Sequence, residues 1–183
     1  MLLGARNNLF EFHFPKTFMP NAISDKYKPY LNRIPGNVIE NPLDFINYTI
    51  QGVNLPGMGF DAVEQDQKTG RKIQWRSTIP TQELFSKELT VTFQLVDGYI
   101  NYWMMLEILN YYYKFETREP FIDDLNIRML DSEGHSIVTA RIIRPLIKNI
   151  SELSMSFASN VAEFTTFEIT IGYNELEVVI ELD

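Results

Sequence analysis

Enzymes and metal sites draw on a few side-chain types, and this chain is short of most of them. It has 183 residues with two histidines and no cysteine, which excludes a disulfide framework, thiolate zinc sites and a cysteine nucleophile. His13 falls in a strand-like stretch and His135 in a turn, neither with another ligand at metal spacing, so both read as structural or surface residues. Asp123-Asp124 could suggest acid–base work, but neighbours on a strand point to opposite faces, and a solvated strand start fits better. The stretch Gly52-Val53-Asn54-Leu55-Pro56-Gly57-Met58-Gly59 is glycine-dense, yet it lacks the Gly-Lys-Ser/Thr and following helix of a phosphate loop. Ser77, Ser86, Ser132 and Ser154 lie outside any Gly-x-Ser-x-Gly elbow. Tyr111-Tyr112-Tyr113 has the chemistry to stack bases, but at helical spacing it reads as a seal for the core or for a subunit contact. No enzyme, no metal and no cofactor is expected.

Charge narrows the field further. Sixteen Lys and Arg against 24 Asp and Glu leave a net charge of −8, and no basic block is present to grip phosphates. With 45% hydrophobic and 22% charged residues, the chain is expected to form one folded domain over 1–183. No basic start leads into an apolar stretch, and no segment nears ~18 uninterrupted apolar residues. The expectation is therefore a cytosolic product that inserts in no membrane.

The elements that would position these residues are mostly strands, because apolar and polar residues alternate with period two. Asn8–Phe14 sets three Phe against Glu11 and His13. Residues 45–51 read as a strand with Ile46, Tyr48 and Ile50 inward. Leu89, Val91, Phe93 and Leu95 oppose Glu88, Thr90, Thr92 and Gln94; Phe167, Ile169, Ile171 and Tyr173 oppose Thr166, Glu168, Thr170 and Gly172. Such strands are half buried, as in antiparallel sheets with one wet face. A hairpin over 125–143 turns at Asp131-Ser132-Glu133-Gly134, where Gly134 supplies a positive φ. A second hairpin, 60–76, turns at Thr69-Gly70 and carries Asp61, Glu64 and Asp66 on one arm and Lys68, Arg71, Lys72 and Arg76 near the tip or on the other. Having few alternating apolar residues, it reads as a protruding arm for contact between subunits. One helix is expected from Tyr99 to about Tyr113, capped by Asp97, with Tyr99, Tyr102, Trp103, Leu106, Leu109 and Tyr113 on its covered side and Asn101, Glu107 and Asn110 on its wetter side. Residues 15–44, with five prolines, read as one long irregular loop. The fold class is mainly β: two packed antiparallel sheets with a flanking helix.

In order, these features are a Phe-rich first strand, a strand ending in Val53-Asn54-Leu55-Pro56-Gly57 and a charged hairpin. The strand Glu88-Leu89-Thr90-Val91-Thr92-Phe93, a helix with Tyr102-Trp103, a hairpin and the closing Phe167-Glu168-Ile169-Thr170-Ile171-Gly172-Tyr173 follow. The series resembles the tail tube proteins of contractile-tailed bacteriophages of the T-even type, over about 44–178 plus the first strand. The resemblance implies six subunits in a ring, rings stacked into a virion tail tube, and DNA passing through the bore without specific binding. Assembly in the host cytoplasm, with tail sheath, baseplate and tape-measure proteins as partners, is implied too. A baseplate-proximal tube initiator or a contractile secretion tube fits the same features, and a ligand-binding β-barrel with an aromatic pocket remains the alternative of another class. In a ring one sheet turns its wet face to the bore. The candidates are Glu88, Thr90, Thr92 and Gln94 on one strand, or Thr166, Glu168 and Thr170 on another.

Overall fold

The computed structural model describes residues 8–34, 36–57, 63–66, 72–75, 87–114, 121–153 and 165–181. In chain order its elements are β1 (Phe10–Phe12), α1 (Asn21–Leu31), α2 (Pro42–Tyr48), β2 (Ile50–Asn54), β3 (Val63–Asp66), β4 (Lys72–Trp75) and β5 (Glu88–Gln94). Then follow α3 (Ile100–Lys114), β6 (Leu125–Leu130), β7 (Ser136–Ile143), β8 (Leu146–Ile150), β9 (Thr166–Gly172) and β10 (Glu175–Ile180), with short 3-10 turns at Lys16–Phe18 and Asp97–Tyr99. The architecture is mainly β. Two four-stranded antiparallel sheets pack together, sheet I in the order β1-β6-β7-β10 and sheet II in the order β2-β5-β9-β8. Strands β3 and β4 form a two-stranded ladder of their own.

Alternation explains the layers. Leu89, Val91 and Phe93 of β5 and Phe167, Ile169 and Ile171 of β9 are buried, directly opposite one another across the ladder. On sheet I the inward rows are Phe12–Ile127–Ala140 and Leu125–Ile142–Leu176. Rings join the layers. Phe14 stacks on Phe18 at 4.1 Å and on Phe93 at 6.2 Å, Phe93 stacks on Phe167 at 5.0 Å, and Tyr102 of α3 meets Phe167 edge-on at 5.3 Å. Burying a ring of this kind is worth about 1.5–3 kcal/mol, and each aromatic pair adds roughly 0.5–1.5 kcal/mol. The 125–143 hairpin forms as its sequence requires: Gly134 has φ +90°, and Asp131 Oδ1 accepts the Glu133 and His135 N–H groups at 2.8 and 2.9 Å. The His135 N–H bond, ahead of that from Glu133, holds the Asp131 carboxyl below its usual pKa.

Three expectations give way to other physics. The 15–44 segment is not irregular: it holds a 3-10 turn, α1 and the start of α2. Ile23, Tyr27 and Leu31 recur every four residues and are buried, and this apolar stripe carries α1 past Pro29, which cannot donate to the carbonyl four residues before it. The strand expected at 45–51 is mostly helix. Asn41 accepts the Leu43 N–H at 3.2 Å and Pro42 takes the first helical position, so the backbone is committed to α2 before the alternating residues arrive. Tyr48, expected inward, is 79% exposed, and Thr49 is buried. Strands β8 and β10 add pairing partners at residues not read as strands.

The third concerns α3. Its buried residues are Asn101, Met104, Met105 and Ile108, whereas Trp103 and Tyr113 are more than half exposed and Tyr99 is exposed too. A helix apolar nearly all round gives its periodicity no way to choose a face. Asn101 makes the choice. Its Oδ1 accepts from the Val96 and Tyr102 N–H groups at 3.3 and 3.1 Å, and its Nδ2 donates to the Gln94 carbonyl at 2.7 Å. Asp97 does not cap the helix: it opens the 3-10 turn, and Gly98 and Tyr99 there have φ +75° and +57°. The amide of Asn101 thus ties the end of β5 to the start of α3. Asn101→Ala should cost about 2–3 kcal/mol, because the Gln94 carbonyl and Val96 N–H lose their partner inside the protein. Asn110→Ala, on the exposed side, should stay within about 0.5 kcal/mol; urea unfolding of both variants checks the contrast.

Candidate functional site

The seven wet-face residues occupy one surface. β5 and β9 are the central strands of sheet II, and their register sets Thr90 opposite Thr170, Thr92 opposite Glu168, and Gln94 opposite Thr166, with Glu88 opposite Gly172. The two strands offered as alternatives therefore present a single face. The neighbouring strands extend it: Asn54 lies opposite Thr90, Asn149 lies opposite Thr170, and Gln51 donates to Gln94 at 3.2 Å. Threonine hydroxyls and amides fill the surface.

Its charges divide unevenly. Lys148 reaches across from β8 and pairs with Glu88 at 2.8 Å. Gly172 permits the crossing, because a Cβ there would sit 2.9 Å from Lys148 Cε and 3.1 Å from Cδ. Glu168 has no ion-pair partner among the described residues. Its Oε1 accepts a weak bond from Thr92 at 3.4 Å, and its main-chain N–H donates to Ser151 Oγ at 2.9 Å. Sequence alternation found both carboxylates but missed Lys148, since Leu146–Ile150 had not been read as a strand.

The charged hairpin lies partly within the described residues. Glu64 and Asp66 are on β3 and Lys72 on β4, with Asp66 opposite Lys72 and Glu64 opposite Gln74. Asp61, Lys68, Arg71 and Arg76 lie outside them. His13 sits 3.6 Å from Glu11. His135, expected without neighbouring ligands, has Asp131 at 3.5 Å and Glu133 at 3.8 Å, donor atoms that could hold a metal ion. The tight turn brings them together, which linear spacing did not convey. Asp124 accepts Arg141 Nε and Nη2 at 3.1 and 2.7 Å, a structural pairing.

The sheet edges differ in how they are finished. β8 runs beside α3, where Tyr113 donates to the Ile147 carbonyl at 2.7 Å and Tyr102 to that of Ser151 at 3.3 Å. The tyrosine run thus seals part of the core, with Tyr112 donating to the Thr17 and Phe18 carbonyls at 3.2 Å. Burial, then Asp123, pushes the Tyr112 phenol above its usual pKa. β10 has β7 on one side and no described strand on the other. The phenylalanines that would line a ligand pocket instead pack on one another. A surface groove of about 600 Å³ lies between residues 34–39, α2 and the end of β5. No helix among the described residues is long and apolar enough to cross a membrane.

No protein-family model matches the chain, and no curated protein matches it in sequence. Among solved structures it is similar to the tube-terminating cap of the anti-feeding prophage, with a TM-score of 0.47 and 12% identity over 72% of this chain and 80% of that one. It is similar to a chain of the PVC extracellular contractile injection system sheath–tube complex, with a TM-score of 0.47 and 13% identity over 72% and 81%. A crystal structure of Hcp protein gives 0.38 and 10% identity over 94% and 98%. At TM-scores below 0.5 these likenesses establish nothing about the role of this chain.

Gly172 and Lys148 can be tested together. Gly172→Ala should displace Lys148 from Glu88 at a cost within about 1 kcal/mol, the range of an exposed pair. Lys148→Ala should then cost nothing further in the Gly172→Ala background, a coupling that denaturant titration of the four-protein cycle would measure.

Proposed function

We propose that this chain is a structural subunit of a contractile-tail tube: six copies close a ring, rings stack, and sheet II lines the bore through which DNA passes. The observation that carries the reading is the single hydroxyl- and amide-rich face of β5 and β9, over which Lys148 is held by Glu88. Duplex DNA presents about one negative charge per 1.7 Å of axis. Against it this wall shows no free ammonium among the described residues to hold a phosphate, and Glu168 repels. The reading assigns no catalysis. A sheath outside the tube, a tape-measure protein within and a baseplate below are the partners it implies.

The dimensions are compatible. Strands about 4.8 Å apart, four from each of six copies and tilted by about 40°, give a wall about 150 Å around and about 48 Å across between main chains. Side chains reaching roughly 5 Å inward from each wall leave a bore of about 38 Å. Six sheets joined in this way would leave no luminal edge open to stray pairing.

Negative-stain microscopy of the concentrated protein should show rings or hollow tubes. A strict monomer at high concentration in several salts would overturn the reading. Once tubes are in hand, Glu168→Lys should leave assembly intact and slow DNA release in low salt, with the delay fading as screening shortens the reach of the new cation. Release at the normal rate in low salt would remove the electrostatic part.

A further inference from the structure

Sheet I ends in a strand that its own core does not cover. Leu176 of β10 is buried opposite Ile142, but Val178 and Ile180, on the same face opposite Ala140 and Val138, are 57% and 62% exposed. The apolar inner face continues past the core at this corner. The outward positions of β10 and the residue after it carry Glu175, Glu177, Val179 and Glu181, with Arg141 3.8 Å from Glu177. Hydrogen bonds from Thr139, at 2.8 Å, and from Ser136 hold the Glu181 carboxyl below its usual pKa, so it stays charged. A six-residue edge with an uncovered apolar face is a template for another strand.

The complement is present in this chain. Among the described residues β4 pairs with β3 and with neither sheet. Its sequence, Lys72-Ile73-Gln74-Trp75, alternates a cation and an amide with two large apolar residues. β3 carries Glu64 and Asp66 and would meet the acidic β10 with like charge, which opposes pairing. Only the β4 side of the ladder matches in both charge and apolar pattern.

We propose that β4 of one copy adds to the β10 edge of a second copy, antiparallel, with Ile73 beside Ile180, Trp75 beside Val178 and Lys72 opposite Glu181. This rests on the tube reading for its occupant, a second copy of the chain, and names the strands through which neighbours join. Main-chain bonds supply attraction, while the alternating residues set the register, because a one-residue slip would put Lys72 against Ile180 and turn Ile73 outward.

The chain contains no cysteine, so disulfide trapping has a clean background. A preparation carrying Ile73→Cys would be mixed with one carrying Ile180→Cys, and separately with one carrying Val179→Cys, under mild oxidation. The mixed disulfide at position 180 should form at least about tenfold faster than at 179, whose Cβ lies on the opposite face. Lys72→Glu should weaken association, and Glu181→Lys on the second copy should restore it. Equal trapping at both positions, or none while the proteins assemble, would overturn the strand addition. Rings without the 73–180 disulfide would leave the tube reading standing and the strand addition overturned. The disulfide without rings would do the reverse.

Discussion

The column of rings from Phe14 through Phe93 and Phe167 to Tyr102 is the contact on which the molecule depends. Phe14 follows the edge strand of sheet I, Phe93 and Phe167 belong to the centre of sheet II, and Tyr102 belongs to α3. One chain of contacts therefore joins both layers and the helix. Sheet II must turn β5 and β9 inward at these rings, and period-two geometry then leaves Glu88, Thr90, Thr92, Thr166, Glu168 and Thr170 facing out. The polar wall is a consequence of the core.

The helices serve the same arrangement. α1 packs on α2 and α3, and Glu107 of α3 accepts from Lys26. Burial, then the hydrogen bond to Glu107, pushes the Tyr27 phenol well above its usual range. This contact fixes α3 against α1 while the amide of Asn101 fixes its start to β5. With α3 held at both places, its tyrosines lie where they meet carbonyls on and beside β8. Those hydroxyls engage the carbonyls of Ile147, on β8, and of Ser151, just after it. β10 has no such cover among the described residues, and its outward acids give that edge a sign. The β8 and β10 edges thus differ in what lies beside them.

Strands with one wet face were legible in the sequence because alternation at β5, β9 and β6–β7 is nearly perfect and the turn at Asp131–Gly134 has the right residues. Both carboxylates of the wall were legible for the same reason. The helices before β2 were not. Pro20, Pro29, Pro35 and Pro42 suggest irregular chain when counted, but Pro42 falls at the start of a helix, a position that tolerates proline, and the buried stripe of α1 outweighs the cost of Pro29. The face of α3 was misjudged because hydrophobicity placed Asn101 outside, whereas three local hydrogen bonds outweighed the cost of burying its amide.

The sequence alone determined the period of each central strand, its acidic and hydroxyl-bearing wet side, and the absence of any thiol chemistry. These are local properties, set by side-chain type and by the two-residue repeat of an extended backbone. Tertiary structure alone decided that β5 and β9 are neighbours, so that two alternative walls became one. It also brought Lys148 over Gly172 to Glu88, and left β10 with no described strand on its outer side. Each of those depends on which segments pair across distant parts of the chain. Pairing is settled by how the rings and aliphatic rows pack together, and no window of the sequence contains that information.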